Sequence, residues 1–317
     1  MPEQPHPAPR LLGIGGAHID RRGQVAGIYV PGASNPGTMR EDIGGVVFNA
    51  LRVARKRGAG ATLMSLRGGD AGGAQVAEAI RQAGIEDLSA VFLDRATSSY
   101  TALIDRDGDL IAGFADMGLY DLFPRQLQRA ACRQAIGSAD AILCDANLPE
   151  QALEMTVYFA ASKPVHAIGI SPAKIVRLVG LLDRLACLFM NRKEAAALTG
   201  ASIDAETPAL VELLRGRGLS RGVITAGGGP VALFEPGLLL SIAPPAPRMI
   251  VDVTGAGDAL AGATVAGLML GKPFADAVRE GLAAAMLALE ARAAVPELGA
   301  GAFAAALALV PAPAEMA

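Results

Sequence analysis

The sequence predicts an α/β fold, a single domain whose central sheet is mostly parallel and covered by helices on both faces. Three observations predict it. Short apolar runs bounded by turn residues alternate with stretches whose apolar residues recur at helical spacing. Most of those runs are apolar at successive positions, as strands buried on two faces require. The chain has 317 residues, 52% of them hydrophobic, enough for a large core.

The elements follow in order. "RLLGIGG" (10–16) reads as the first buried strand. "QVAGIYV" (24–30) and "TMREDIG" (38–44) read as short strands around the turn "PGASNPG" (31–37). "GVVFNALRVARKRG" (45–58) has helical spacing and ends in glycine, "ATLMSL" (61–66) is a strand, and "DAGGAQVAEAIRQAG" (70–84) a helix. "TSSYTALIDRDGDLIAGF" (97–114) alternates around Asp107-Gly108, a hairpin pair. Helices at 124–137 and 150–161 then alternate with strands at 141–146 and 164–170. "LACLFM" (185–190) is a strand running into the helix "NRKEAAALTG", and "GVITAG" (222–227) is another strand. A hairpin follows ("VALFE", "LLLSIA"), then two long Ala-rich helices from about 255 and 274. Residues 1–9 read as a frayed tail and 10–317 as one domain. A small β-excursion is expected from about 24–43 and 97–114.

Composition narrows the function. Formal net charge is −3 and tryptophan is absent, which disfavours a nucleic-acid polymer as partner. The proline-rich opening lacks the basic and apolar regions of a signal peptide. The longest apolar run, 259–270, falls short of the ~18 residues needed to span a bilayer. Cys132, Cys144 and Cys187 have no paired spacing. They read as small hydrophobes in a reducing compartment, so a cytoplasmic location is expected.

Familiar signatures are missing. There is no G-x-x-x-x-G-K-[ST], no G-x-S-x-G, and "GIGGAH" (13–18) lacks the third glycine of a dinucleotide fingerprint. The histidines at 6, 18 and 166 are too scattered for a His-based metal cluster.

"VDVTGAGDALAGA" (251–263) is the informative stretch. Gly255, Ala256 and Gly257 leave consecutive backbone N–H groups uncovered at a helix start, where the dipole favours an anion. Asp258 stands beside them as a carboxylate suited to general-base work on a hydroxyl. Asp252 and Thr254 exceed what capping needs. In "GGVVFN" (44–49), Gly44 and Gly45 permit close ligand approach, and Asn49 can both donate to and accept from a sugar hydroxyl. A tight turn with a surface asparagine gives the same pattern. Asp20, after the first strand at the sheet's carboxyl edge, can chelate vicinal hydroxyls or cap a turn. In "NRKEA" (191–195), Asn191 and Glu194 share a helix face. They suit phosphate and water-held magnesium, or simply a capping box. Thr225 and Gly227 of "TAGGG" (225–229) end a strand where a nucleotide can lie, or form a plain turn.

In this order and spacing the stretches resemble the PfkB, or ribokinase-like, family of carbohydrate and nucleoside kinases, from about residue 10 to 310. The resemblance implies a three-layer α/β/α fold with a small β-sheet lid that often clasps a dimer. It implies Asp258 as catalytic base, Gly255, Ala256 and Gly257 as anion hole, and Asp20, Gly44, Gly45 and Asn49 as sugar ligands. It implies ATP and Mg2+ as cofactors, served by Asn191, Glu194 (magnesium through water), Thr225 and Gly227. In members that need potassium, Asp252 corresponds to a cation ligand. Within the family, "HIDRRG" (18–23), "TSSYTALID" (97–105), "DANLP" (145–149) and "SPAK" (171–174) are similar to pseudouridine kinases. His18 stands where many sugar kinases carry asparagine. Ser98 and Thr101 are thereby expected near a base or sugar, Asn147 near substrate or phosphate, and Lys174 near phosphate or in solvent. The implied activity is ATP-dependent phosphorylation of the 5′-hydroxyl of pseudouridine or a related riboside. Another sugar kinase, or a ligand sensor on the same fold, are the alternatives.

Overall fold

The computed structural model describes residues 8–316. Residues 1–7 of the expected tail, and Ala317, lie outside the described residues.

The first strand, Arg10–Ile14, sits in the interior of a ten-stranded sheet, between Gly60–Met64 and Ala141–Asp145 and parallel to both. Parallel pairing continues outward to Glu86–Asp87 on one side and through Val165–Ile168, Cys187–Asn191 and Gly222–Ala226 on the other. Gly229–Glu235, Leu238–Ile242 and Ala314–Glu315 complete the sheet in antiparallel fashion. Side-chain alternation splits each central strand between two apolar layers. Leu11, Leu63 and Leu143 enter one, and Leu12, Met64 and Ile142 the other. This is why the strands read as unbroken apolar runs. The three cysteines are buried thiols within these layers.

On one face the helices Val46–Lys56, Ala256–Met269 and Phe274–Leu289 pack together. The first two approach closely because Gly262 has no side chain. A Cβ there would meet the Ala50 carbonyl oxygen at 2.2 Å. Asp258 stands one turn before Gly262 and Asn49 immediately before Ala50, so this crossing sets their separation.

A second sheet of four strands forms the lid, in the order Gly37–Gly44, His18–Val25, Ser99–Ile104, Leu110–Asp116. Its first strand differs from expectation. It runs from His18 to Val25, not over 24–30, and residues 26–30 are outside regular structure. Asp20 is therefore carried by the lid and not by the carboxyl edge of the main sheet. Gly15 and Gly16 make the exit from the main sheet, and the polar "HIDRRG" is a strand because one side faces the site.

Other boundaries moved for local reasons. The expected helix at 124–137 breaks at Gln128–Arg129, where Arg129 turns to an extended conformation before Ala130–Ser138. The strand expected at 61–66 ends at Met64, and Leu66–Gly68 pairs separately with Ala90–Phe92. Helices at Thr207–Gly216 and Ala300–Leu309 were not anticipated. Among the described residues no helix is long and apolar enough to cross a membrane.

Candidate active site

Asp258 lies in the first turn of Ala256–Met269, a helix that starts from Gly255 in the left-handed region (φ 82°). No side chain caps this start among the described residues, so the first amides are left for an anion. Asn49 Nδ2 donates to Asp258 Oδ2 at 3.0 Å, while its own Oδ1 is buried without a partner. Burial pushes the Asp258 carboxyl up to about 7, with the negative charges of Asp145 and Asp20 adding to the rise. The Asn49 hydrogen bond and His18 oppose it. A carboxyl near 7 accepts and returns a proton around neutrality, as a general base should.

The lid strand supplies the next groups. His18 Nε2 lies 3.1 Å from Asp20 Oδ1, and Gly44 sits directly across from His18. A Cβ at Gly44 would strike Asp20 Oδ2 at 2.0 Å. Gly45 precedes the helix that bears Asn49 with φ 124°. Ser98 is buried with no partner for its hydroxyl. Thr101 stands apart from these. It pairs with Arg21, so strand alternation puts it on the lid face opposite Asp20.

Sequence reasoning missed Asp145. It ends a central strand at zero exposure, its Oδ1 accepts from the Asn147 N–H at 2.8 Å, and its Oδ2 has no hydrogen-bond partner among the described residues. Burial raises its pKa to about 6 against the pull of that hydrogen bond and of the His18 and Lys174 charges. Tyr120 is buried and its phenol raised well above the ordinary value, chiefly by desolvation and further by Asp145 and Asp20. The signal was present: a carboxylate closing the otherwise apolar "AILCD" at the ligand-binding edge of a parallel sheet. Asn147 turns its side chain outward, where Lys174 Nζ donates to its Oδ1 at 2.6 Å. Burial lowers the Lys174 pKa while Asp145 resists. Both residues line a cavity of about 520 Å3 that reaches Tyr120 and Ala115 of the lid.

Asn191 and Glu194 form a capping box. Asn191 Oδ1 accepts from the Glu194 N–H and Glu194 Oε2 from the Asn191 N–H, both at 2.9 Å. Burial raises the Glu194 pKa against those hydrogen bonds. Asp252 has donors on both carboxyl oxygens. Thr254 N–H donates to Oδ1 at 2.8 Å and Arg22 Nη1 to Oδ2 at 2.5 Å. Burial would raise its pKa, yet these bonds hold it below the usual range.

Residues of the segment 252–257 border two cavities. One, of about 480 Å3, is bordered by Asp20, Gly44, Asp252 and Thr254. The other, of about 500 Å3, is largely apolar and is bordered by Thr225, Gly227, Ala256, Gly257, Leu260 and Met286. Thr225 and Gly227, expected where a nucleotide can lie or in a plain turn, border this second cavity, whose apolar wall was not expected.

A carboxyl with a raised pKa and uncapped helix amides thus share one turn, and that turn borders a cavity. Residues 9–298 match the pfkB family carbohydrate kinase, and the chain belongs to that family of phosphotransferases acting on a hydroxyl group. It is 44% identical to a carbohydrate kinase from Agrobacterium tumefaciens, covering 97% of this chain and 100% of that one, with a TM-score of 0.87. It is 29% identical over 269 residues to the pseudouridine kinase of Escherichia coli (strain K12), covering 84% of this chain and 86% of the relative. Arabidopsis thaliana ribokinase, solved with ribose and ATP, has the same fold (21% identity, TM-score 0.84, 95% and 99% covered).

Proposed function

We propose that this chain is an ATP-dependent kinase of the 5′-hydroxyl of pseudouridine or a related riboside. The observation that carries the reading is Asp258: a carboxyl near 7, held by Asn49, beside uncapped amides of which Ala256 and Gly257 border the apolar cavity. The likeness to a pseudouridine kinase along most of both chains supports the acceptor class.

In this reading the riboside lies on the lid side, with Asp20, His18, Gly44, Gly45, Asn49, Ser98 and Asn147 around it. ATP lies along the apolar cavity past Thr225 and Gly227. Asp258 takes the hydroxyl proton as the acceptor oxygen bonds to the γ-phosphorus and the bond to ADP breaks. The amides of Gly255, Ala256 and Gly257 hold the charge on the moving phosphoryl group. Lys174 extends positive charge toward the site. Thr101, on the far lid face, is left to the lid's own packing.

Magnesium, when bound with ATP, screens phosphate charge. Glu194 fits an outer role, since one of its oxygens is committed to the capping box and Mg2+ keeps much of its water. A potassium ion at Asp252 would have to compete with the Arg22 guanidinium, whose Nη1 already pairs with its Oδ2 at 2.5 Å. The lid exposes Met39, Leu110 and Phe114, which supports a homodimer formed through it.

The test is ADP release with magnesium–ATP over a panel of nucleosides and free sugars, with and without potassium. Pseudouridine or a close riboside should turn over, and Asp258→Asn should lower kcat by at least ~100-fold with acceptor binding retained. Turnover of free sugars alone would replace the acceptor. An Asp258→Asn enzyme near wild-type activity would remove the base.

A further inference from the structure

The lid strand that presents His18 and Asp20 carries Arg22 on the same face, about 6.6 Å further along. Its guanidinium leaves the lid altogether. Nη1 donates to Asp252 Oδ2 at 2.5 Å and Nη2 to Thr254 Oγ1 at 2.6 Å. Arg40, directly across the strand pair from Arg22, crosses too. Its Nη2 donates to the Arg292 carbonyl at 3.1 Å. Two residues beyond Arg292 is Ala294, whose carbonyl oxygen would lie 2.3 Å from a Cβ at Gly255. Two neighbouring lid arginines thus hold the two backbone segments that shape the anion cradle, one running into it and one backing it.

We propose that Arg22 is a positioning residue for phosphoryl transfer, tying the acceptor-bearing lid strand to the loop 252–254 so that the 255–257 amides are set only when the lid is closed. The consequence for turnover rests on the kinase reading above; the effect on the loop does not.

Three physical arguments support it. Val253 and Thr254 are exposed, so the loop has little packing of its own and depends on hydrogen bonds for its shape. Forked, charge-assisted bonds from one guanidinium fix orientation as well as distance. Arg22 also cancels a carboxylate that would otherwise face an incoming polyphosphate just ahead of the cradle. A lid lifted away from Asp252 leaves that charge bare and the amides loosely held, so phosphate is gripped when an acceptor is in place and not when only water is.

The experiment compares Arg22→Met, Arg22→Lys and, as a control, Arg21→Met. Arg21 pairs with Glu41 on the other lid face and reaches nothing in the core. Amide hydrogen exchange over 251–258 is followed both on the ligand-free proteins and on the proteins saturated with the acceptor that binds best, the acceptor-bound state being the deciding one. Melting temperatures are taken alongside, and turnover is measured with the best acceptor. Arg22→Met should speed exchange at 253–257 at least ~fivefold. It should lower kcat at least ~tenfold while acceptor KM stays within ~threefold. Arg22→Lys should recover part of both, methylguanidinium should restore turnover to an Arg22→Ala protein, and Arg21→Met should match wild type. Unchanged exchange in both Arg22→Met and Arg22→Lys, or a loss confined to acceptor KM, overturns the proposal. If the wild-type protein phosphorylates no acceptor, the kinase reading fails, and the exchange result alone decides whether Arg22 sets the loop.

Discussion

Removing the Asn49 amide should move the pH dependence of the reaction upward by a calculable amount. Asn49 Nδ2 donates to the Asp258 carboxylate at 3.0 Å and so favours its charged form. A hydrogen bond to a charged group contributes about 1.5–3 kcal/mol. One pKa unit corresponds to about 1.36 kcal/mol, so Asn49→Ala should raise the Asp258 pKa by about one unit or more, from about 7 toward about 8. At pH 6.5 the ionised fraction then falls from about 24% to about 3%, an eightfold loss, whereas at pH 9 it barely changes. The assay is kcat/KM for the acceptor between pH 5.5 and 9, which reports the free enzyme's base. Asn49 is also an acceptor contact, so activity drops at every pH. The ratio of rates at pH 9 and pH 6.5 isolates the proton, and it should grow about sevenfold over wild type. An unchanged ratio, or a midpoint that falls, would show that Asp258 is not the titrating base or that Asn49 does not stabilise its charge.

Two further outcomes follow from Asp145 and Gly255. The Asp145 pKa is raised to about 6 in the folded protein, so folding binds its proton more tightly than the open chain does. Its stability contribution is complete below an ordinary carboxylate pKa of about 3.9 and lost as pH rises through about 6. Asp145→Asn should therefore raise Tm at pH 8 by about 2 °C or more, with the gap closing near about pH 4; a lower Tm at pH 8 would contradict this. Gly255→Ala puts a side chain in the left-handed region and a Cβ 2.3 Å from the Ala294 carbonyl oxygen. The backbone conformation alone costs about 1–2 kcal/mol. Calorimetry should show a lower Tm, and kcat should fall about tenfold or more as the cradle shifts, with acceptor KM little changed.

The parallel sheet was legible because its strands are buried on both sides and its helices carry regular apolar spacing. The Asp258 cradle was legible because glycines beside a carboxylate at a helix start have few other uses. The Thr207–Gly216 helix left a readable trace in Pro208 and the apolar positions 210, 211 and 214. The Ala300–Leu309 helix did not, since an almost wholly apolar segment has no periodic contrast. The lid strand was misplaced because its polar residues face a site and not water. For the same reason Arg22 and Asp145 escaped notice: their roles depend on partners far along the chain. Asn191 and Glu194 illustrate the converse, because one pair of side chains closes a capping box and also faces the ligand edge of the sheet.

The position of Arg10–Ile14 in the middle of its sheet has a consequence for biosynthesis. This strand is synthesised before both its neighbours, Gly60–Met64 and Ala141–Asp145. The lid strand His18–Val25 likewise waits for Ser99–Ile104 to pair with it. Asp258 is made after all of them, so the lid strands are assembled well before the helix start that bears it. With so many pairings between distant segments, maturation should be slow and should expose unpaired strand edges on the way. A nascent chain stopped before the Ala256–Met269 helix would leave the Val46–Lys56 helix without its cover and would be a natural client for a chaperone.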